Sequence, residues 1–148
     1  MKNFKCNNIE YAIRVIRVLL GGEMITCNEI CRKSDIPFAY AKKVAAGLSR
    51  ARIVEGTFGT HGGYRLLKPL SEITLYDVGE AVGGTFTFSF KSTRRQNSLC
   101  PCERAGNCAV LKRFGDLNSD FGNTLKEFTL ESLLGNCLEN QQEVRQIV

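Results

Sequence analysis

Residues 26–50 constrain the chain most, because they encode two short amphipathic helices with room for only a tight turn between them. Thr26 and Glu29 stand three apart, the spacing of a capping box, in which each side chain satisfies an orphan amide near the other; a helix is therefore expected to begin at Thr26. Cys27, Ile30 and Cys31 fall on its apolar face. Ser34-Asp35-Ile36 interrupts the pattern, and Pro37 is expected in the first turn of the next helix, where a missing N–H costs nothing. Ala41, Val44, Ala45 and Leu48 mark the inner face of that helix and leave Tyr40, Lys42, Lys43 and Arg50 to point elsewhere. An earlier helix is expected over 8–20, capped by Asn7 or Asn8, buried through Ala12, Val15, Ile16 and Leu19, and stopped by Gly21-Gly22.

Two short strands, 53–58 and 63–67, flank the tip Gly59-Thr60-His61-Gly62. A β-hairpin directly after the second of two closely joined helices has the form of a wing. A short helix over 74–82, with Leu75, Val78 and Val82 on one face, closes a first domain of residues 1–82. Residues 83–108 read as a loop carrying a cysteine cluster, and residues 109–148 as a long helix with a tail. In the helix, expected over 109–128, Val110, Phe114, Leu117, Phe121, Leu125 and Phe128 form a narrow apolar seam between polar flanks. Such a seam suits pairing with a second helix, which favours a homodimer, while the competing reading packs it on its own domain. Thr129 to Leu134 read as a last short helix. The expected fold is mainly α with a small β-hairpin wing: a winged helix-turn-helix plus a long dimerisation helix.

Charge points to the kind of partner. The formal net charge is +5. Residues 1–82 carry a net +4 and the rest +1, and between Ile36 and Val54 there are four cations and no acid. A locally cationic helix suits an anionic polymer, although a solvated face is the commoner meaning of such a run. An α-helix fits the DNA major groove and meets base edges with its N-terminal residues, here Phe38, Ala39, Tyr40, Lys42 and Lys43, with Arg50 further along. Lysine donates to guanine or phosphate, and Tyr40 donates to phosphate or packs on a thymine methyl. The tip Thr60-His61-Gly62 would approach the backbone or minor groove. Double-stranded DNA is thus the expected partner. No run of about 18 apolar residues exists, so no membrane span is expected, and Arg14 and Arg17 break the early apolar stretch, which argues against a secretory signal and for a cytoplasmic protein.

Seven cysteines are many for such a chain, and an odd number in a reducing compartment argues against a disulfide scaffold. Cys100, Cys102 and Cys108 lie within nine residues, on a stretch with Pro101 and Gly106. Thiolates are soft ligands that select iron–sulfur clusters, zinc or Cu(I); structural zinc usually takes four protein ligands, often paired as Cys-x2-Cys, a spacing absent here. The competing readings are three free thiols or a thiol–disulfide switch. Cys27 and Cys31, four apart on a helix, could bind a metal together but are expected as small core residues. No phosphate loop, nucleophile–base pair or Cys-x2-Cys redox motif is present, so no catalytic residue is assigned and an enzyme, such as a thiol oxidoreductase, is disfavoured.

Taken together, Glu10-Tyr11-Ala12-Ile13-Arg14, Pro37-Phe38-Ala39-Tyr40-Ala41-Lys42-Lys43, Gly62-Gly63-Tyr64-Arg65-Leu66 and Thr74-Leu75-Tyr76-Asp77-Val78, with the cysteine loop and the helix after it, resemble the IscR/NsrR/RirA family of bacterial winged-helix regulators. The resemblance implies a homodimer on a palindromic operator and, in many members, a two-iron or four-iron cluster that senses iron, cluster supply, nitric oxide or redox state. It implies Cys100, Cys102 and Cys108 as cluster ligands, although the first family cysteine is expected where Gln96 stands, and Glu10 at the place of an acidic ligand contributed across the dimer. Cluster ligation would then set operator affinity through the spacing of the two recognition helices. The alternative is a metal-free regulator sensing thiol oxidation or a small ligand. Many relatives carry an arginine near the wing tip, where this chain has Phe58.

Overall fold

The computed structural model describes residues 7–83 and 108–135. Helix α1 (Asn7–Val18) buries Ile9, Ala12, Val15 and Ile16 along one face. Its last turn tightens into a 3-10 turn, Leu19–Gly21, closed by Gly22 at φ 74°, whose amide donates to the Leu19 carbonyl at 3.2 Å. The expected continuous helix to residue 20 is therefore two pieces, and the tighter turn points Leu19 into the core.

Helix α2 (Cys27–Ser34) has the expected capping box: the Glu29 amide donates to Thr26 Oγ1 at 3.3 Å, and the Thr26 amide to Glu29 Oε2 at 3.4 Å. It ends at Asp35, in the left-handed region at φ 54°. Helix α3 (Phe38–Arg50) follows, with Ala41, Val44, Ala45 and Leu48 buried as the spacing predicts. Pro37 sits one residue before the helix rather than in its first turn. Its ψ of 140° keeps it extended while its carbonyl accepts from the Tyr40 and Ala41 amides at 3.0 Å each.

Strands β1 (Val54–Thr57) and β2 (Gly63–Leu66) pair antiparallel, with Val54 opposite Leu66 and Thr57 opposite Gly63. A third segment joins them: Ile25 and Tyr64 exchange both backbone hydrogen bonds, at 2.9 and 2.8 Å. A Cβ at Gly63 would lie 2.6 Å from the Ile25 carbonyl oxygen, so glycine is what lets the wing lie against the entrance to α2.

Helix α4 (Leu75–Ala81) carries a second capping box, Thr74 with Asp77, and packs so closely on α3 that a Cβ at Gly47 would collide with the Ala81 carbonyl. Helix α5 (Ala109–Glu127) is the longest among the described residues. Beyond it residues 130–135 are helical, as expected, and Thr129 and Thr74 form an isolated antiparallel bridge. Leu130 and Leu134 enter one core with Ile16, Leu19, Ile30, Leu48, Ile73 and Val78. Burying side chains of this size contributes about 1.5–3 kcal/mol each relative to exposure. No helix among the described residues is long and apolar enough to cross a membrane.

Candidate nucleic-acid interface

Alternation on α3 separates its two jobs. While one face is buried, Phe38, Ala39, Tyr40, Lys42, Lys43 and Arg50 are all exposed. The tight α2–α3 turn places the N-terminal half of α3 at the surface, beside the hairpin. Tyr40 is held by its neighbour Tyr11, the rings 5.7 Å apart and inclined at 59°, which orients the hydroxyl-bearing ring without burying it.

The cations face two different surroundings. Lys42 borders a groove of about 260 Å³ between α3 and the hairpin, lined also by Cys27, Phe38, Phe58 and Tyr64. Lys43 and Arg50 border a larger groove of about 710 Å³, where Lys68 adds a cation and Glu72, Asp77 and Glu80 bring acids. The acid-free stretch of sequence is thus not acid-free in space on that side, because α4 and the turn before it fold against the C-terminal half of α3. Lys42 is the cation that faces the wing, where the lining holds no acid.

Thr60 and His61 are exposed at the hairpin tip; Gly62 is half-buried, its amide donating to the Gly59 carbonyl at 3.0 Å. Phe58 follows the last residue of β1. It is 97% exposed, against about half for Phe38 and Tyr40, so it packs on little among the described residues. Glu55 and Arg65 pair across the strands at 2.6 Å and stiffen the hairpin behind it. A strand pattern reads Phe58 as the end of β1, whereas the strand ends at Thr57 and leaves the ring on the tip.

Cys27 and Cys31 pack against the core from its edge, one turn apart on α2 and both half-buried. Burial first, and then the neighbouring Cys31, push the Cys27 thiol above its ordinary value, with Lys42 pulling the other way. Burial, then Cys27, raise the Tyr64 hydroxyl in the same manner.

Of the proposed metal ligands, Cys108 stands immediately before α5, half-buried and outside any disulfide. Cys100 and Cys102 lie outside the described residues. Glu10 is exposed on α1 and bound to Arg14 at 2.6 Å; Arg14 also donates to the Ser34 carbonyl at 3.3 Å. Among the described residues no three His, Cys, Asp or Glu side chains converge as a metal site.

On α5 the apolar seam divides. Leu125 is buried within the chain, Phe114 and Phe121 are half-buried, and Val110, Leu117 and Phe128 stay about half exposed.

A model of the Rrf2 family, described as iron-dependent transcriptional regulators, matches residues 7–136. The HTH-type transcriptional regulator IscR of Cereibacter sphaeroides is 34% identical over 65 residues, 44% of this chain and 42% of that protein. In fold the chain is similar to IscR from T. potens, with a TM-score of 0.62 and 17% identity over 95% of this chain and 91% of that one. It is also similar to an oxidised form of CymR from Staphylococcus aureus, with a TM-score of 0.56 and 21% identity over 90% and 95% of the two chains.

Proposed function

The chain belongs to the Rrf2 family of transcriptional regulators, and from that membership we propose that it is a homodimeric, cytoplasmic, sequence-specific DNA-binding regulator whose operator affinity is set by an iron–sulfur cluster. The observation that carries the DNA part is the division of α3: Ala41, Val44, Ala45 and Leu48 are buried, while Phe38, Ala39, Tyr40, Lys42, Lys43 and Arg50 are exposed beside a hairpin that offers Thr60, His61 and Gly62. In this reading α3 enters the major groove, its first turns meet base edges, and the hairpin follows the adjacent backbone or minor groove. A dimer joined through Val110, Leu117 and Phe128 of α5 would present two such helices and read a palindromic site. The three proposed segments are a DNA-binding domain over 1–82, a cysteine loop over 83–108, and a dimerisation helix and tail over 109–148.

The donors fit an iron–sulfur group in kind. Cys108 is an uncrosslinked thiol at the N-terminus of a 19-residue helix, where free first-turn amides favour a negatively charged ligand set. Cys100, Cys102 and Cys108 would hold the cluster, and Glu10 of α1 is the fourth candidate, since its exposed pairing with Arg14 is weak enough to give up. When bound, the group would supply chemistry sensitive to oxidants and nitric oxide. The chain's own contribution is transmission: α5 begins immediately after Cys108, and the segment after its far end is tied by backbone hydrogen bonds to Ile73 and Leu75, at the start of α4, which packs on α3.

The test is to purify the protein without oxygen, record its visible spectrum with iron and sulfide counts, and measure operator binding before and after cluster removal. Colour, iron and a changed affinity are expected. An iron-free, colourless protein with unchanged affinity overturns the cluster part and leaves a metal-free regulator responsive to thiol oxidation or a small ligand. A protein with no salt-sensitive DNA affinity overturns the whole.

A further inference from the structure

The DNA-binding reading leaves one pair of cysteines unused. Cys27 opens α2, and Cys31 follows one turn later on the same face. Both are half-buried, and neither is in a disulfide. They differ from ordinary core cysteines in where they open. Cys27 lines the groove shared by Phe38 and Lys42 of α3 and by Phe58 and Tyr64 of the hairpin, so it reaches solvent between the two elements that would grip DNA.

Two cysteines four apart on one face of a rigid helix can chelate one centre at little ordering cost. Hard cations prefer oxygen donors, and structural zinc wants four protein ligands. A bare dithiol therefore selects soft, thiophilic centres that are content with few ligands. We propose that Cys27 and Cys31 form a dithiol site for a soft metal or metalloid ion, of the Cu(I) or trivalent arsenic class, and that its occupation lowers DNA affinity by wedging the groove between α3 and the wing. With a monosubstituted arsenic(III) oxide the chemistry balances simply. Two S–H bonds break and two As–S bonds form. The oxide oxygen leaves with the two protons as water, and no electrons are transferred. A bound group would occupy the space between Lys42 and Phe58, and the wing cannot shift freely to make room because Ile25 and Tyr64 pin it to the start of α2.

Two measurements separate this proposal from the DNA-binding reading on which its second half rests. In the first, reduced full-length chain is treated with phenylarsine oxide, washed with glutathione, alkylated with N-ethylmaleimide and digested with trypsin. The tryptic peptide 18–32 holds Cys27 and Cys31 and no other cysteine. Joint protection of both from alkylation is expected, and either single variant, Cys27→Ala or Cys31→Ala, should lose the protection of its remaining thiol to the wash. Full alkylation of 18–32 in the untreated and treated chain alike would overturn the site, whatever DNA does. In the second, DNA affinity is measured in a Cys100→Ser/Cys102→Ser/Cys108→Ser background, so that the loop thiols cannot respond. Phenylarsine oxide should weaken binding by roughly tenfold, within the usual span of coupling between two sites, and adding Cys27→Ala/Cys31→Ala should abolish that response. A protected peptide with unaltered DNA affinity would overturn the regulatory half and leave the site.

Discussion

The amide of Leu130 donates to the carbonyl of Ile73 at 2.8 Å, and both side chains are fully buried in the same core. The Leu75 amide answers with a 2.8 Å bond to the Phe128 carbonyl. The segment that follows α5 is therefore part of the helix-turn-helix core, so a change at Leu130 is felt by the whole fold. Leu130→Ala should destabilise the protein by about 2–5 kcal/mol, the range for removing a leucine side chain from a core. Urea denaturation followed by circular dichroism checks this, and a loss under 1 kcal/mol would mean that the segment after α5 is loosely docked.

The two surroundings of the α3 cations predict unequal roles. Lys42 faces the wing in a groove whose described lining holds no acid, whereas Lys43 shares its groove with Glu72, Asp77 and Glu80. Lys42→Ala should weaken DNA binding at every sequence and reduce the slope of log K against log salt by about 0.9, the value for one phosphate contact. Lys43→Ala should change the slope less. Equal slopes for the two variants would remove the distinction.

Phe58 projects from the wing tip almost wholly exposed. Phe58→Ala should leave stability within about 0.5 kcal/mol, as for other surface substitutions, yet reduce specific DNA affinity if the ring packs on sugar or base. Phe58→Arg should raise non-specific affinity and steepen its salt dependence, because a cation replaces an apolar contact. Thermal unfolding and paired titrations on specific and scrambled duplexes separate the effects.

Much of this fold was readable from local chemistry. The Thr26–Glu29 capping box, the break at Ser34-Asp35-Ile36 and the inner face of α3 are short-range patterns, and each agrees with the structure within a residue or so. What escaped depends on distance along the chain. Nothing near Ile25 announces that it will bridge Tyr64, and nothing near Leu130 or Leu134 tells a core residue from a seam residue, since both are apolar at helical spacing. The acids around Lys43 and Arg50 were invisible for the same reason: they arrive from α4 and the turn before it. The α3 face was legible because its burial follows a period; Phe58 was not, because its exposure depends on where the strand stops.

The Cys27 thiol gives a pH signature. Its folded value lies above the ordinary 9.0, burial being the main cause, so the folded state favours the protonated thiol. Its stabilising contribution should be complete below about pH 9 and decline as pH rises through the higher folded value. The stability difference between the parent and Cys27→Ala should therefore shrink between pH 8 and pH 10 in urea denaturation. A constant difference would show that the thiol titrates alike in both states.

The α5 seam makes the last prediction, which bears on assembly. Val110, Leu117 and Phe128 each leave about half their surface in water, while Leu125, on the same seam, is already buried within the chain. A substitution at Leu125 would therefore confound folding with association, but one at Leu117 would not. Leu117→Glu should keep the circular dichroism spectrum and the unfolding midpoint of the isolated fold, because little packing is lost in the single chain. It should convert a dimer into a monomer by light scattering, since a carboxylate at the centre of an apolar helix pair must be desolvated without a partner. If DNA is read by two recognition helices at once, the same variant should lose most of its affinity for a palindromic site while keeping the weaker affinity of one domain for a half-site. A Leu117→Glu protein that remains dimeric places the interface elsewhere, and one that is monomeric yet binds the full site undiminished shows that pairing is not what the operator requires.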